Sequence, residues 1–151
     1  SELYKIIKQE GYKKIAMASD SDLDGIAING LLIAFFKRYL EEELTAGMIY
    51  RLNTPVMALL DKNKMPKEWI YDLSGTLKEK NGLTFKYFKG LGSWTPEQMK
   101  EVIKQDGISN MLMQINYSSE DDETIDDWYS DKKADKRKEY ILNNNFDLIK
   151  L

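Results

Sequence analysis

Asp20-Ser21-Asp22-Leu23-Asp24-Gly25 follows directly on the apolar run Lys13-Lys14-Ile15-Ala16-Met17-Ala18-Ser19. The run reads as a buried strand, and the apolar residues after Gly25 read as a helix. In an extended backbone, residues i, i+2 and i+4 point the same way. The spacing therefore predicts that Asp20, Asp22 and Asp24 converge on one small volume. Like charges held that close repel unless a cation or a proton neutralises them. The chain has no His and no Cys, so its side chains offer no imidazole or thiolate to a metal. Oxygen-only donors suit a hard ion such as Mg²⁺. Its expected place is the end of a parallel strand, the usual ligand position in an open α/β sheet.

The same string resembles the start of an EF-hand loop. Such a loop needs Glu at its twelfth position, and counting from Asp20 that position is Leu31, within an apolar stretch. The EF-hand reading fails. The plain structural alternative is an acidic strand-to-helix turn in which Asp24 caps the next helix. Asp24 could cap and still support a metal site.

Working outward, Phe85-Lys86-Tyr87-Phe88-Lys89-Gly90-Leu91-Gly92-Ser93 is a strand-like run ending in K-G-L-G. Thr95 then reads as a helix N-cap, with Pro96 at the first helical position and Gln98 completing a capping box. Gly90 and Gly92 would let the backbone approach a neighbour closely, and Lys89 would place a cation there. That combination suits a phosphate or a second carboxylate, although a Gly-x-Gly after a strand is by itself an ordinary turn.

The remaining pattern alternates. Helices are expected over Ser1 to Gln9, Ile26 to Leu44, Pro96 to Gln105 and Asp126 to Asn143. Strands are expected over Lys13 to Ser19, Met48 to Asn53, Trp69 to Leu73, Phe85 to Lys89 and Met111 to Tyr117. Thr54 to Leu60 extends the sheet after a bend at Pro55, and Asp61 to Lys67 is a hairpin or insertion loop. Gly30, early in a helix, predicts a close packing contact. This alternation argues for an α/β fold, a largely parallel sheet flanked by helices.

At 151 residues the chain has the length of one domain, and 42% hydrophobic content is enough for a core. Its longest apolar stretch, Leu31 to Phe36, is too short to span a membrane, and no basic-then-apolar leader is visible. The absence of cysteine excludes disulfides and fits an intracellular protein. A net charge of −3 argues mildly against autonomous DNA binding. The charge is segregated, however. Ser74 to Lys104 carries six Lys and three Glu, Ser118 to Asp127 carries six acids and no base, and Lys132 to Lys138 carries five bases and one acid. The acidic run reads as solvated surface. The basic runs are the better candidates for phosphate contact.

Four blocks together carry a family resemblance. Ala18 to Gly25 resembles the metal-binding D-x-D-x-D-G segment of the TOPRIM domain in type IIA DNA topoisomerases, the gyrase and eukaryotic topoisomerase II group. Tyr87 to Gly92 is similar to that family's aromatic-K-G-L-G motif. Gly47 to Val56 resembles its strand ending in T-P or P-P, and Asp135 to Ile141 its closing basic helix. The blocks occur in the family's order and cover nearly the whole chain. There are departures. The family's E-G-D-S-A segment, whose Glu the resemblance assigns as general acid/base and metal partner, is absent here, as is P-L-R-G-K. Glu2 and Glu10 lie in no such segment and are expected at the surface. Ile26-Ala27 stands where many relatives have Ser-His.

The resemblance implies residues 1–151 as a partial TOPRIM domain, its N-terminal part missing and its end a basic helix. It implies Asp20 and Asp22 as catalytic Mg²⁺ ligands, with Asp24 in a supporting role. A two-ion site would be completed by a Glu outside the chain. It implies DNA contact through Lys89, Gly90 and Arg137. The nucleophile would be a tyrosine on another domain. Tyr39, Tyr50, Tyr71 and Tyr87 lie in core-like patterns, and no tyrosine here sits beside an evident activating base. ATP would be bound by another domain or chain. The expected partners are double-stranded DNA and the topoisomerase chains carrying the ATPase domain, the Glu and the Tyr, with no membrane. The Lys- and Asn-rich composition is compatible with a bacteriophage split subunit. The alternatives are a TOPRIM nuclease or primase fragment, in which K-G-L-G and the closing helix lack explanation, and a non-catalytic module that docks DNA or a partner.

Overall fold

The computed structural model describes residues 2–71 and 82–143. Helix α1 (Glu2–Glu10) turns Ile7 inward and leads to strand β1 (Ile15–Met17). Helices α2 (Leu23–Tyr39) and α3 (Glu41–Thr45) follow, then β2 (Ile49–Leu52), β3 (Met57–Leu60), β4 (Pro66–Ile70) and β5 (Thr84–Tyr87). The chain closes with α4 (Pro96–Asp106), α5 (Ile108–Met111), β6 (Leu112–Gln114), α6 (Asp122–Tyr129) and α7 (Ala134–Asn143).

The α/β class holds, and the strands form two small sheets, ordered β1-β2-β6 and β4-β3-β5. Among the described residues parallel pairing is confined to β1 and β2, with Ile15 opposite Ile49 and Met17 opposite Arg51. A parallel pair needs a long crossover, which α2 and α3 supply. The pairs β2–β6, β3–β4 and β3–β5 are antiparallel. The expectation that Thr54 to Leu60 extends the first sheet is corrected. Met57–Leu60 is buried along its whole length at the centre of the second sheet. The short turn Asp61–Met65 then forces β4 to run back against it, Asp61 accepting from the Asn63 and Met65 amides at 2.9 and 3.0 Å.

Each sheet has its own core. Ile7, Met17, Phe36, Leu40, Leu44 and Ile49 pack together under the first. Ala58, Leu60 and Phe88 pack with Trp69 and Trp94 under the second. Fully burying a residue such as Leu44 or Ile49 contributes about 1.5–3 kcal/mol.

Two expected helices are each divided. Ile26 to Leu44 breaks at Leu40, whose φ of −143° and ψ of 41° leave the helical region. The acids Glu41, Glu42 and Glu43 then open α3, where negative charge favours a helix N-terminus. Asp126 to Asn143 becomes α6 and α7. Ser118 and Asp121 form a capping box that starts the segment early, and Ser130, with ψ of 133°, ends α6. The expected strand Trp69 to Leu73 ends at Ile70, its last two positions lying outside the described residues. Tyr39 and Tyr87 are corrected from core-like to exposed, at 50% and 60%. The predicted close contact at Gly30 is present, since a Cβ there would run into the Tyr129 ring of α6.

Candidate metal and nucleic-acid site

The site forms where β1 ends. Strand β1 ends at Met17, and α2 begins at Leu23. Asp22, not Asp24, is the N-cap: its carboxylate accepts from the Gly25 amide at 2.9 Å. Asp24 lies in the first turn of α2, where the helix dipole favours an acid. The expected convergence of three carboxylates is therefore corrected. Asp20 stands in the loop, Asp22 caps and Asp24 is helical, so the two-residue period of a strand does not apply. No group of three or more acids that could hold a metal occurs among the described residues. All three side chains are exposed.

Asp20 instead meets the second motif. Its Oδ1 accepts from the Leu91 amide at 2.7 Å, across 71 positions of sequence. A Cβ on Gly90 would strike the Asp20 carboxylate, and a Cβ on Gly25 would strike the Asp20 backbone carbonyl. The glycine of each motif is thus the residue that lets the chain close around Asp20. The K-G-L-G loop is itself held firmly. Ser93 donates from its amide and its hydroxyl to the Gly90 carbonyl at 3.0 and 2.6 Å. Phe88 and Trp94, at the loop's two ends, stack with centroids 4.0 Å apart. The predicted capping box of Thr95 and Gln98 starts α4 immediately after it.

The K-G-L-G loop meets a carboxylate, one of the two groups expected there, through backbone rather than through Lys89. Lys89 is exposed, with no hydrogen bond or ion pair among the described residues. Arg137 lies elsewhere. It is half-buried and donates through Nη1 to the carbonyls of Asp127 and Ser130 at 3.0 and 2.7 Å, fastening α7 to the end of α6. Its neighbours Lys133 and Lys136 pair with Asp126, Asp127 and Glu123. The acidic run is thus not merely solvated, because the basic run neutralises much of it. Those hydrogen bonds from Lys133 and Lys136 hold the Asp127 carboxyl below its ordinary range.

The donor chemistry fits a hard cation. Asp20 and Asp22 each spend a carboxylate oxygen on a backbone amide, and neither is paired with a cationic side chain among the described residues.

Sequence reasoning missed the cavity beside Asp20. It measures about 170 Å³ and is lined by Ser19, Asp20, Asn29, Arg51, Asn53 and Tyr71 among others. Asn29 is 7% exposed, and its Oδ1 is buried without a hydrogen-bond partner. The signal was available, because Asn29 continues the inward stripe of Ile33, Phe36 and Leu40, where an amide is out of place. The Tyr71 hydroxyl donates to Asp106, and burial, then that bond, raises its pKa.

Residues 63–148 match the family described as the C-terminal associated domain of TOPRIM. DNA gyrase B of Borreliella burgdorferi is 31% identical over 148 residues, covering 93% of this chain and 23% of that protein. Human DNA topoisomerase 2-alpha is 33% identical over 147 residues, covering 91% and 9%. The chain thus spans less than a quarter of the length of these relatives. Among solved structures, the Plasmodium falciparum topoisomerase II DNA-binding, cleavage and re-ligation domain superposes with a TM-score of 0.68 at 24% identity. It covers 86% of this chain and 18% of that one, a likeness of fold. With two motifs closing on Asp20 and a family match across more than half its length, the chain belongs to the TOPRIM region of the type IIA DNA topoisomerases.

Proposed function

We propose that this chain supplies the metal-binding acids of a type IIA topoisomerase that cleaves and religates double-stranded DNA with ATP hydrolysed elsewhere in the assembly. The observation that carries the reading is Asp20, gripped by the Leu91 amide and crowded by Gly25 and Gly90. Two glycine-bearing motifs far apart in sequence spend their close approach on one carboxylate, which fixes its position.

Asp20 and Asp22 are the proposed Mg²⁺ ligands, with Asp24 acting through water or as a support from the first turn of α2. A glutamate outside these 151 residues completes the set. Bound Mg²⁺ would supply charge stabilisation at the reacting phosphate and orient its neighbours. The chain's own residues do the rest. The Leu91 amide holds one Asp20 oxygen, and the other lies against Gly90. The Gly25 amide holds one oxygen of Asp22. Exposed Lys89, two positions before Leu91 in sequence, offers its ammonium to backbone phosphate. The nucleophilic tyrosine and the ATPase domain belong to other parts of the enzyme, and these residues are read as a partial TOPRIM unit of it.

The test is made on the complex isolated with the tagged chain from its native source. Mg²⁺-dependent covalent protein–DNA adducts on a partner should fall by about 100-fold or more in Asp20→Asn, with assembly intact, if several kcal/mol of charge stabilisation are lost. Undiminished adducts in that variant would overturn the assignment.

A further inference from the structure

The cavity beside Asp20 holds two polar groups whose needs match. Strand alternation puts Arg51 on the face of β2 shared with Ile49, which is fully buried in the α1/α2 core. Its parallel partner across the sheet is Met17, buried in that same core. Arg51 therefore projects under α2, where Asn29 ends the inward stripe. Among the described residues its one side-chain hydrogen bond goes to Met113 Sδ at 3.4 Å, a weak acceptor. A guanidinium with five donors and no anion thus lines the same cavity as Asn29, whose buried Oδ1 has no donor.

We propose that this cavity binds a phosphodiester of the DNA backbone, with Arg51 as the phosphate-binding residue and Asn29 as the residue that positions it. The inference rests on the DNA-cleaving reading above and gives it a specific contact. On binding, Arg51 would leave Met113 so that the Asn29 carbonyl accepts from one edge of the guanidinium while the other edge forks onto two phosphate oxygens, the geometry that Arg provides and Lys does not. Ser19 and Asn53 add a hydroxyl and an amide to the wall. Tyr71 lines it too, but its hydroxyl is committed to Asp106. Asp20 lies in the same wall, so a diester with one negative charge is repelled less than a free phosphate dianion. The site therefore selects backbone phosphate over inorganic phosphate.

The test is a salt series of DNA binding by the full chain, read by fluorescence anisotropy with a short labelled duplex. Arg51→Gln should weaken binding about tenfold near 0.1 M salt and lower the log–log salt slope by about 0.9, one phosphate contact. Asn29→Leu should weaken binding less and leave the slope unchanged, because no charge is removed. Arg51→Lys should keep the slope and lose part of the affinity, and it carries the test if Arg51→Gln does not fold. Inorganic phosphate should compete only weakly. An unchanged slope in folded Arg51→Gln overturns the proposal, as does inorganic phosphate that displaces the duplex at low concentration through Arg51. A wild-type chain with no DNA affinity also overturns it, while the adduct test with Asp20→Asn judges the cleavage reading separately.

Discussion

The Asp20–Gly25 loop and the α6–α7 segment are both rich in acids, and they handle them in opposite ways. In α6, Asp126 and Asp127 face Lys133 at 2.5 and 2.8 Å, and Asp127 also meets Lys136. Asp122 is met by Lys37 at 3.2 Å and by the Tyr117 hydroxyl. The segment neutralises itself. In the loop, Asp20 and Asp22 are held by backbone amides alone, which fix the carboxylates and leave their charge uncompensated among the described residues. A carboxylate without a counter-ion is available to a cation from solution. Acid density therefore does not tell the two regions apart, whereas backbone positioning without lysine partners does.

The sharpest way to break the contrast is Gly25→Ala. Its Cβ would meet the Asp20 backbone carbonyl, so the main chain itself must move. Urea unfolding should show a loss of about 3 kcal/mol, the upper end of overpacking. Gly90→Ala should cost less, about 1 kcal/mol, because the Asp20 carboxylate it strikes can swing aside. The same swing should release the Leu91 amide, seen as a shift of its NMR resonance. On the other side, Lys133→Met removes ion pairs at the surface and should lower stability least of the three in the same measurement. The Asp20 loop should be unmoved.

The smallest effect is that of pH. The hydrogen bond from Tyr117 first, then Lys37, holds the Asp122 carboxyl below its ordinary value, and Lys133 and Lys136 do the same for Asp127. A carboxyl lowered on folding stabilises the fold above its unfolded pKa, and that contribution is lost as pH falls through the folded value. Stability from the α6–α7 contacts should thus be complete at neutral pH and fade below about pH 4. Carboxylate chemical shifts titrated against pH would check this, and midpoints at or above the ordinary value would contradict it.

Much of this was legible because local chemistry decided it. The Thr95–Gln98 capping box, the close approach at Gly30 and the turn at Asp61 follow from residue types at fixed spacing. What was not legible depended on distant partners. Nothing within Thr54 to Leu60 says that it founds a second sheet, because that follows from pairing with β5, more than 20 positions on. The reading of Asp20, Asp22 and Asp24 as a strand triplet failed since Asp22 does better as a helix cap than as a strand residue. The carbonyls that Arg137 binds were not legible either, because they belong to the end of α6, which was expected to be continuous helix.

The most direct measurement is a titration of the isotope-labelled chain with Mn²⁺ as a paramagnetic substitute for Mg²⁺. Broadening of the Gly25 and Leu91 amides ahead of those in α6, and its loss in Asp20→Asn, is the predicted result. Broadening first along Asp122 to Asp127, or broadening at Gly25 and Leu91 that survives in Asp20→Asn, would contradict the account.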